Sequence, residues 1–537
     1  MLIFVVFGVL SLGALLILVT HAHKPNTARS WFFAISTVLI AWIAAWILRL
    51  YLPSDFPLLT WFPDSDFADP LALAIDTINW PYLVTALSMA LAVLLTDTTR
   101  ADATVTPLSW VRLLAVTGLN LIAILAANPL TMAVSWMMVD LVDIMSLMKI
   151  TKATDLSAKI TSAFGIRLLS SFLLVFATAV AWRVDPVQIN YAQMTNASIY
   201  FLMAAGLRLG VLPLNLPFLD APELRRGSGI LFRLLPAASA LVLIAQLQEE
   251  FLIFNEKVTL AVRILTLIAA LYSAVMWMTR QNSFEGRPYW VVGFSAFALQ
   301  SALNGHPGAS RVWGLAMLLA GSLLFLFNPP IRRIRFLPML GLLAFIGLPY
   351  TLAASGWEGL LPDQFNLVWV AMILTHAFLV IGYIRYIFEA DSTVTGLEKY
   401  ARVTFPLGLV ILIQTIMVLG IIGWQNVLTT GNLISSGISL GLVVLAVLFG
   451  WKFGFQIKPA RISAAQPFSR LAALIIKFFR DLFSLSWVSV LAHKVFSRLL
   501  LFGDFLNQVI EGDGGILWSL VFIVVLSIFF LTLRGGK

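Results

Sequence analysis

Apolar runs of roughly 17–25 residues recur from one end of this chain to the other, each long enough to cross the ~30 Å hydrocarbon core of a bilayer. That recurrence leaves few folds open. Inside hydrocarbon every backbone N–H and C=O must find a partner within the protein, so spans of this length become helices. About sixteen of them fit into the 537 residues, and no soluble domain fits between them. The fold class is therefore all-α, a polytopic integral membrane protein. Only 11% of the residues are charged and the mean hydropathy is +0.94, whereas a soluble protein of this size needs far more surface charge. Met1–Thr20 is apolar, with no basic segment before it and no small-residue cleavage site. It reads as a retained first helix rather than a signal peptide.

The loops set a direction. Lys24 and Arg29, Arg100, Lys149, Lys152 and Lys159, and Arg225 and Arg226 fall in every second loop. So do Arg280 and Arg287, Arg332, Arg333 and Arg335, and Arg385, Lys399 and Arg402. The loop Pro53–Trp80 carries Asp55, Asp64, Asp66, Asp69 and Asp76 without a Lys or Arg. By the positive-inside rule the N-terminus lies outside the cell (inner) membrane, and an even number of spans puts Lys537 outside too. The net charge of +9 is this loop excess. Nucleic acid is not an expected partner; the lipid bilayer is.

Near the C-terminus 467–511 mixes Lys477, Arg480, Lys494 and Arg498 with Phe and Leu at helical spacing. Such a segment lies along the membrane surface as an amphipathic lateral helix, or folds back as two shorter ones. A final span follows at 516–533.

The chemistry concentrates in Ala204–Arg233, AAGLRLGVLPLNLPFLDAPELRRGSGILFR, an apolar helix broken near Pro213 and Pro217 with Arg208 near midplane and Arg233 on the next helix. Broken helices with buried charge are how membrane proteins build ion sites. There are no cysteines, which excludes thiolate-ligated clusters and disulfides. His21 and His23 have no third ligand near in sequence, so no metal is expected. No nucleophile–base pair or phosphate loop stands out, so no catalytic site and no cofactor are assigned to the chain.

Four patches carry a resemblance. Ala204, Ala205, Gly206, Pro213, Leu214, Asp220, Ala221, Glu223 and Leu231 match the broken helix of the antiporter-like membrane subunits of proton-translocating NADH:quinone oxidoreductase (respiratory complex I) and the multisubunit cation/proton antiporters. Asn128–Trp136, NPLTMAVSW, is similar to that family's NLLLMYLGWE. Ser322–Leu326 is similar to its ALLFL, and Gly347–Tyr350 to its GLPP. The order and spacing agree over residues 80–360. The resemblance implies two inverted five-helix repeats, 108–248 and 258–387, with broken helices at Pro213 and Pro349. Around them lie N-terminal helices at 1–96 and extra helices at 403–452. It also implies a proton relay of Glu, Lys and His in each half.

This chain departs from that relay. The family Glu falls on Met137, with Asp140 and Asp143 three and six residues on. The Lys falls on Arg208, and the two His on Asn215 and Arg233. In the second half the Lys falls on Gly321 and the His on Met317, leaving Gln300, His376 and Gln414 as polar candidates. The ion-pathway candidates are thus Asp140, Asp143, Arg208, Arg233 and His376. Arg208 and Arg233 either pair with Asp140, Asp143 or Asp220, or line a water-filled cavity that takes an anion or excludes cations. A proton path altered to run through Asp140 or Asp143 is the third reading. His376 is a helix–helix hydrogen bond or a remnant of the relay.

The leading expectation is a membrane subunit of a complex I-like or related energy-converting complex, partnered by other membrane subunits. Its relay residues are degenerate, which points to a structural or regulatory role. The alternative is an active proton, cation or bicarbonate-type anion transporter component working with a partner protein.

Overall fold

Each apolar span that the structure describes contains a helix, and the places where helix gives way are the informative ones. The computed structural model describes residues 2–23, 26–59, 71–97, 107–150, 154–182, 197–218, 227–247, 256–280, 282–327, 334–360, 367–388, 401–422 and 430–453. All belong to one compact unit, Met1–Ser463. The lateral segment 467–511, the final span 516–533, and Asp220 lie outside the described residues.

The helices are α1 (Leu2–His23), α2 (Thr27–Leu48), α3 (Trp80–Thr96), α4 (Pro107–Ile124) and α5 (Pro129–Ile150). They continue as α6 (Thr154–Trp182), α7 (Ser198–Leu209), α8 (Ser228–Gln246), α9 (Glu256–Thr279) and α10 (Ser283–Leu303). The rest are α11 (Pro307–Leu326), α12 (Phe336–Leu340), α13 (Leu367–Phe388), α14 (Ala401–Ile422) and α15 (Thr430–Phe453). Among the described residues ten are long and apolar enough to cross a membrane. The protein is a multi-pass helical membrane protein.

Burial sorts the helices into layers. Every residue of α3 is buried, and α8 and α11 are buried nearly throughout. These central helices need no amphipathic stripe because protein surrounds them. By contrast α1, α6 and α9 expose Leu12, Leu15, Phe172, Phe176, Leu260 and Ile264. In a bilayer such side chains face lipid at no cost.

The acidic loop after α2 is not all loop. Ser54–Leu59 (β1) and Leu71–Ile75 (β2) pair antiparallel, Ser54 opposite Ile75. The other edge of β2 is closed by the turn between α4 and α5: Ala74 N donates to Leu125 O at 2.8 Å and Ala127 N to Ala72 O at 2.9 Å. Asp76 then starts α3, its carboxylate accepting from the amides of Ile78 and Asn79 at 2.8 Å each. That is an Asx turn, a local structural use of one of the loop acids.

The breaks fall earlier than the prolines suggest. Helix α7 ends at Leu209, and Gly210 takes a left-handed conformation (φ 79°) while Val211 and Leu212 N–H both reach back to Gly206 O. This is a glycine C-cap, available because Gly has no Cβ to clash. A Cβ on Gly210 would stand 2.5 Å from Asn215 O. Pro213, three residues on, follows the break. In the second case α12 tightens to 3-10 helix over Gly341–Ala344 and becomes irregular from Phe345, before Pro349. A third correction concerns Arg287, expected in a loop: it lies inside α10 and is fully buried. Its guanidinium carbon sits 4.9 Å from the Phe284 ring and 5.4 Å from the Phe325 ring, so aromatic faces replace water around the charge.

Candidate functional site

The candidate site grows from α5. Asn128 caps its start, its side chain accepting from Thr131 N at 2.8 Å. From there the helical period carries Trp136, Asp140 and Asp143 inward, at spacings of four and three residues that keep them on one face. Trp136 is fixed by an indole hydrogen bond to Ser239 Oγ of α8 at 2.8 Å.

Asp140 is 1% exposed, and Arg208 near the end of α7 is 4% exposed. The two meet as a fork on a fork: Arg208 Nη1 donates to Asp140 Oδ2 at 2.9 Å and Nη2 to Oδ1 at 3.0 Å. The Arg208 guanidinium also lies 4.4 Å from the Trp136 ring centroid. The bidentate geometry is arginine-specific; a lysine ammonium could sit over the Trp136 ring but could not make the fork.

A second arginine completes the group. Arg167 of α6 donates to Asp143 Oδ2 at 2.5 Å and stands 3.7 Å from Asp140 Oδ1. Its Nε donates to Pro217 O in the segment after the break, at 3.3 Å. Two arginines and two aspartates therefore form a neutral, buried cluster on α5, α6 and α7. The site was not assigned Arg167 from sequence. The signal was there, because it is the only charged residue between 162 and 182. Asp143 Oδ1 has no hydrogen-bond partner among the described residues.

Around the break, Asn215 stands where the resembled family has a histidine. Its amide donates to Leu207 O at 3.3 Å and Pro213 O at 3.2 Å. It caps carbonyls that the broken helix leaves open. Arg233 on α8 is buried over the Phe218 ring, 5.4 Å to the centroid.

The second half is aromatic. Trp290 of α10 packs on Gly321 of α11, where an added Cβ would stand 2.7 Å from the indole nitrogen. That indole N–H donates to Met317 O at 3.0 Å. From Trp290 buried rings continue through Phe294 and Phe297 to Trp313, with centroid separations of 4.4, 6.0 and 5.0 Å. His376 of α13 ends the series, 5.8 Å from Trp313. Its Nε2 lies 2.7 Å from Phe345 O and its Nδ1 2.7 Å from Ser439 Oγ on α15. A carbonyl only accepts, so Nε2 carries the proton there. The histidine thereby ties the end of the α12 segment to α13 and α15. Gln300 is buried and within 3.4 Å of Asn304, whereas Gln414 is exposed on α14. Pro349 is half-buried in irregular chain. The structure thus unites Asp140, Asp143 and Arg208 with Arg167, and places Arg233 on α8 over Phe218 and His376 on α13 beside Phe345 and Ser439.

Solved structures share this fold, among them chains of two membrane complexes. One is a chain of the membrane-bound sulfane sulfur reductase (MBS), an archaeal respiratory membrane complex. It aligns with a TM-score of 0.67 at 14% identity over 98% of this chain and 99% of that one. The other is a chain of the Mrp complex from Dietzia sp. DQ12-45-1b, with a TM-score of 0.70 at 13% identity. The match takes in 100% of this chain and 63% of that one, so this chain spans under two thirds of its length. No family model and no curated protein sequence matches the chain.

Proposed function

We propose that this chain is an antiporter-like membrane subunit of a multisubunit energy-converting complex, one whose centre is held by fixed ion pairs in place of a titrating relay. One observation carries the reading. The two positions where the resembled family has a relay lysine are Arg208, clamped on Asp140, and Gly321, covered by Trp290. An arginine in proteins keeps its proton, and a glycine has none to give. Its work is then structural or regulatory, extending and bracing a membrane arm beside other membrane subunits. The likeness of fold to chains of two named membrane complexes supports the assembly.

The repeat organisation belongs to the same proposal. Helices α4–α8 and α9–α13 make two sets of five, and in each the fourth member, α7 or α12, is the one that breaks. The loop charges support an N-terminus outside the inner membrane.

A second reading rests on Asp143. Its open Oδ1 offers an acceptor beside the break, which favours an altered path for a proton or cation in the first half alone. Copurification from native membranes tests the leading reading. Stable association with redox or other membrane subunits is the expected outcome. A chain that isolates alone and transports alone contradicts it.

A further inference from the structure

Four helix ends meet around a cavity of about 470 Å³. It is bounded by the C-terminal ends of α2 and α14 and by the N-terminal ends of α3 and α11. Its volume falls in the roughly 300–1,000 Å³ range of ordinary small-molecule sites. None of the ion-pathway candidates lines it.

The lining is two-faced. Arg49 and Thr77 are exposed, while Leu315, Leu352 and Leu419 are buried. Arg49 rests over the Trp80 ring, 5.4 Å to the centroid, and has no ion-pair partner among the described residues. Arg311 is half-buried and donates one Nη1 hydrogen bond, to Thr77 O at 2.6 Å. A guanidinium has five N–H donors, so both side chains keep donors for a ligand. The first turns of α3 and α11 end at the same space and add partial positive charge. Against this stands one carboxylate in the lining, Glu358. Just outside the lining, the Asp76 carboxylate accepts from the amides of Ile78 and Asn79 and also attracts the Arg311 guanidinium, so it too opposes a bound anion.

We infer that this cavity binds a phosphate-bearing anion through Arg49 and Arg311. Two guanidiniums suit phosphate oxygens. The buried leucines beneath them suit the glycerol and first methylenes of a phospholipid, so a lipid phosphodiester fills the whole cavity where inorganic phosphate fills only its polar part. The site is independent of the transport reading and stands or falls separately from it.

Native mass spectrometry of the full chain, delipidated in detergent, tests this with two probes: phosphatidylglycerol and inorganic phosphate. Phosphatidylglycerol held roughly tenfold more weakly by Arg49→Gln than by the wild type supports a lipid occupant. Glu358→Gln, which removes the opposing charge, is expected to hold it more tightly and serves as a variant of opposite sign. A response to inorganic phosphate that Arg49→Gln abolishes, with no preference for the lipid, supports the same site with a free anion as its source. Failure of both probes to bind, or equal binding by wild type and both variants, overturns the inference.

Discussion

Arg208 and Asp140, 68 positions apart in sequence, are joined by two hydrogen bonds of 2.9 and 3.0 Å between helices α7 and α5. Both side chains are buried, and Asp140 also lies 3.7 Å from Arg167. A buried pair of this kind adds little net stability, yet removing one partner costs about 3–5 kcal/mol because the other charge is stranded. Arg208→Ala is therefore expected to lower the thermal midpoint in detergent sharply. Arg208→Ala combined with Asp140→Ala is expected to lose less than the sum of the single changes, and the double-mutant cycle reads the coupling directly. Additive losses would mean the two side chains do not depend on one another.

The break in α7 is made by glycine. Gly210→Ala forces a Cβ into a left-handed backbone 2.5 Å from Asn215 O and is expected to cost about 1–3 kcal/mol. Thermal unfolding curves in detergent check this; a neutral Gly210→Ala would show that the glycine does not make the break.

Trp290 occupies the space beside Gly321. Gly321→Ala is expected to destabilise by about 1–3 kcal/mol through overpacking against an indole that is already hydrogen-bonded to Met317 O. Replacing the indole as well, with Trp290→Phe, opens room and is expected to recover part of the loss. A neutral Gly321→Ala would show that the ring moves aside freely.

What was legible in the sequence follows from contrast. Asp140, Asp143 and Arg208 stand out because charge is rare in apolar spans, and their need for partners follows from desolvation alone. Which partner each takes depends on which helices touch, and no pattern along the chain records that. Arg167 had the same contrast as Arg208 and was readable on the same grounds. Arg287 was hidden by the loop-charge alternation, since a basic residue near a span end counts as cytoplasmic until Phe284 and Phe325 are known to cover it. The β1–β2 hairpin was hidden for another reason: its strands are short, and the far edge of β2 is completed by residues 125–127, about fifty positions away. Gly210 was not legible beside the prolines, because its positive φ is a property of the fold.

Whether the centre of this chain titrates decides between a brace and a pump. Proton flux measured with a pH-sensitive dye in proteoliposomes holding the purified chain alone is the direct test. The ion-paired first half and the aromatic second half predict flux no greater than in empty liposomes, unchanged by Arg208→Ala or Asp143→Asn in any variant that remains folded. Uncoupler-sensitive flux in the wild type that Arg208→Ala abolishes would contradict it.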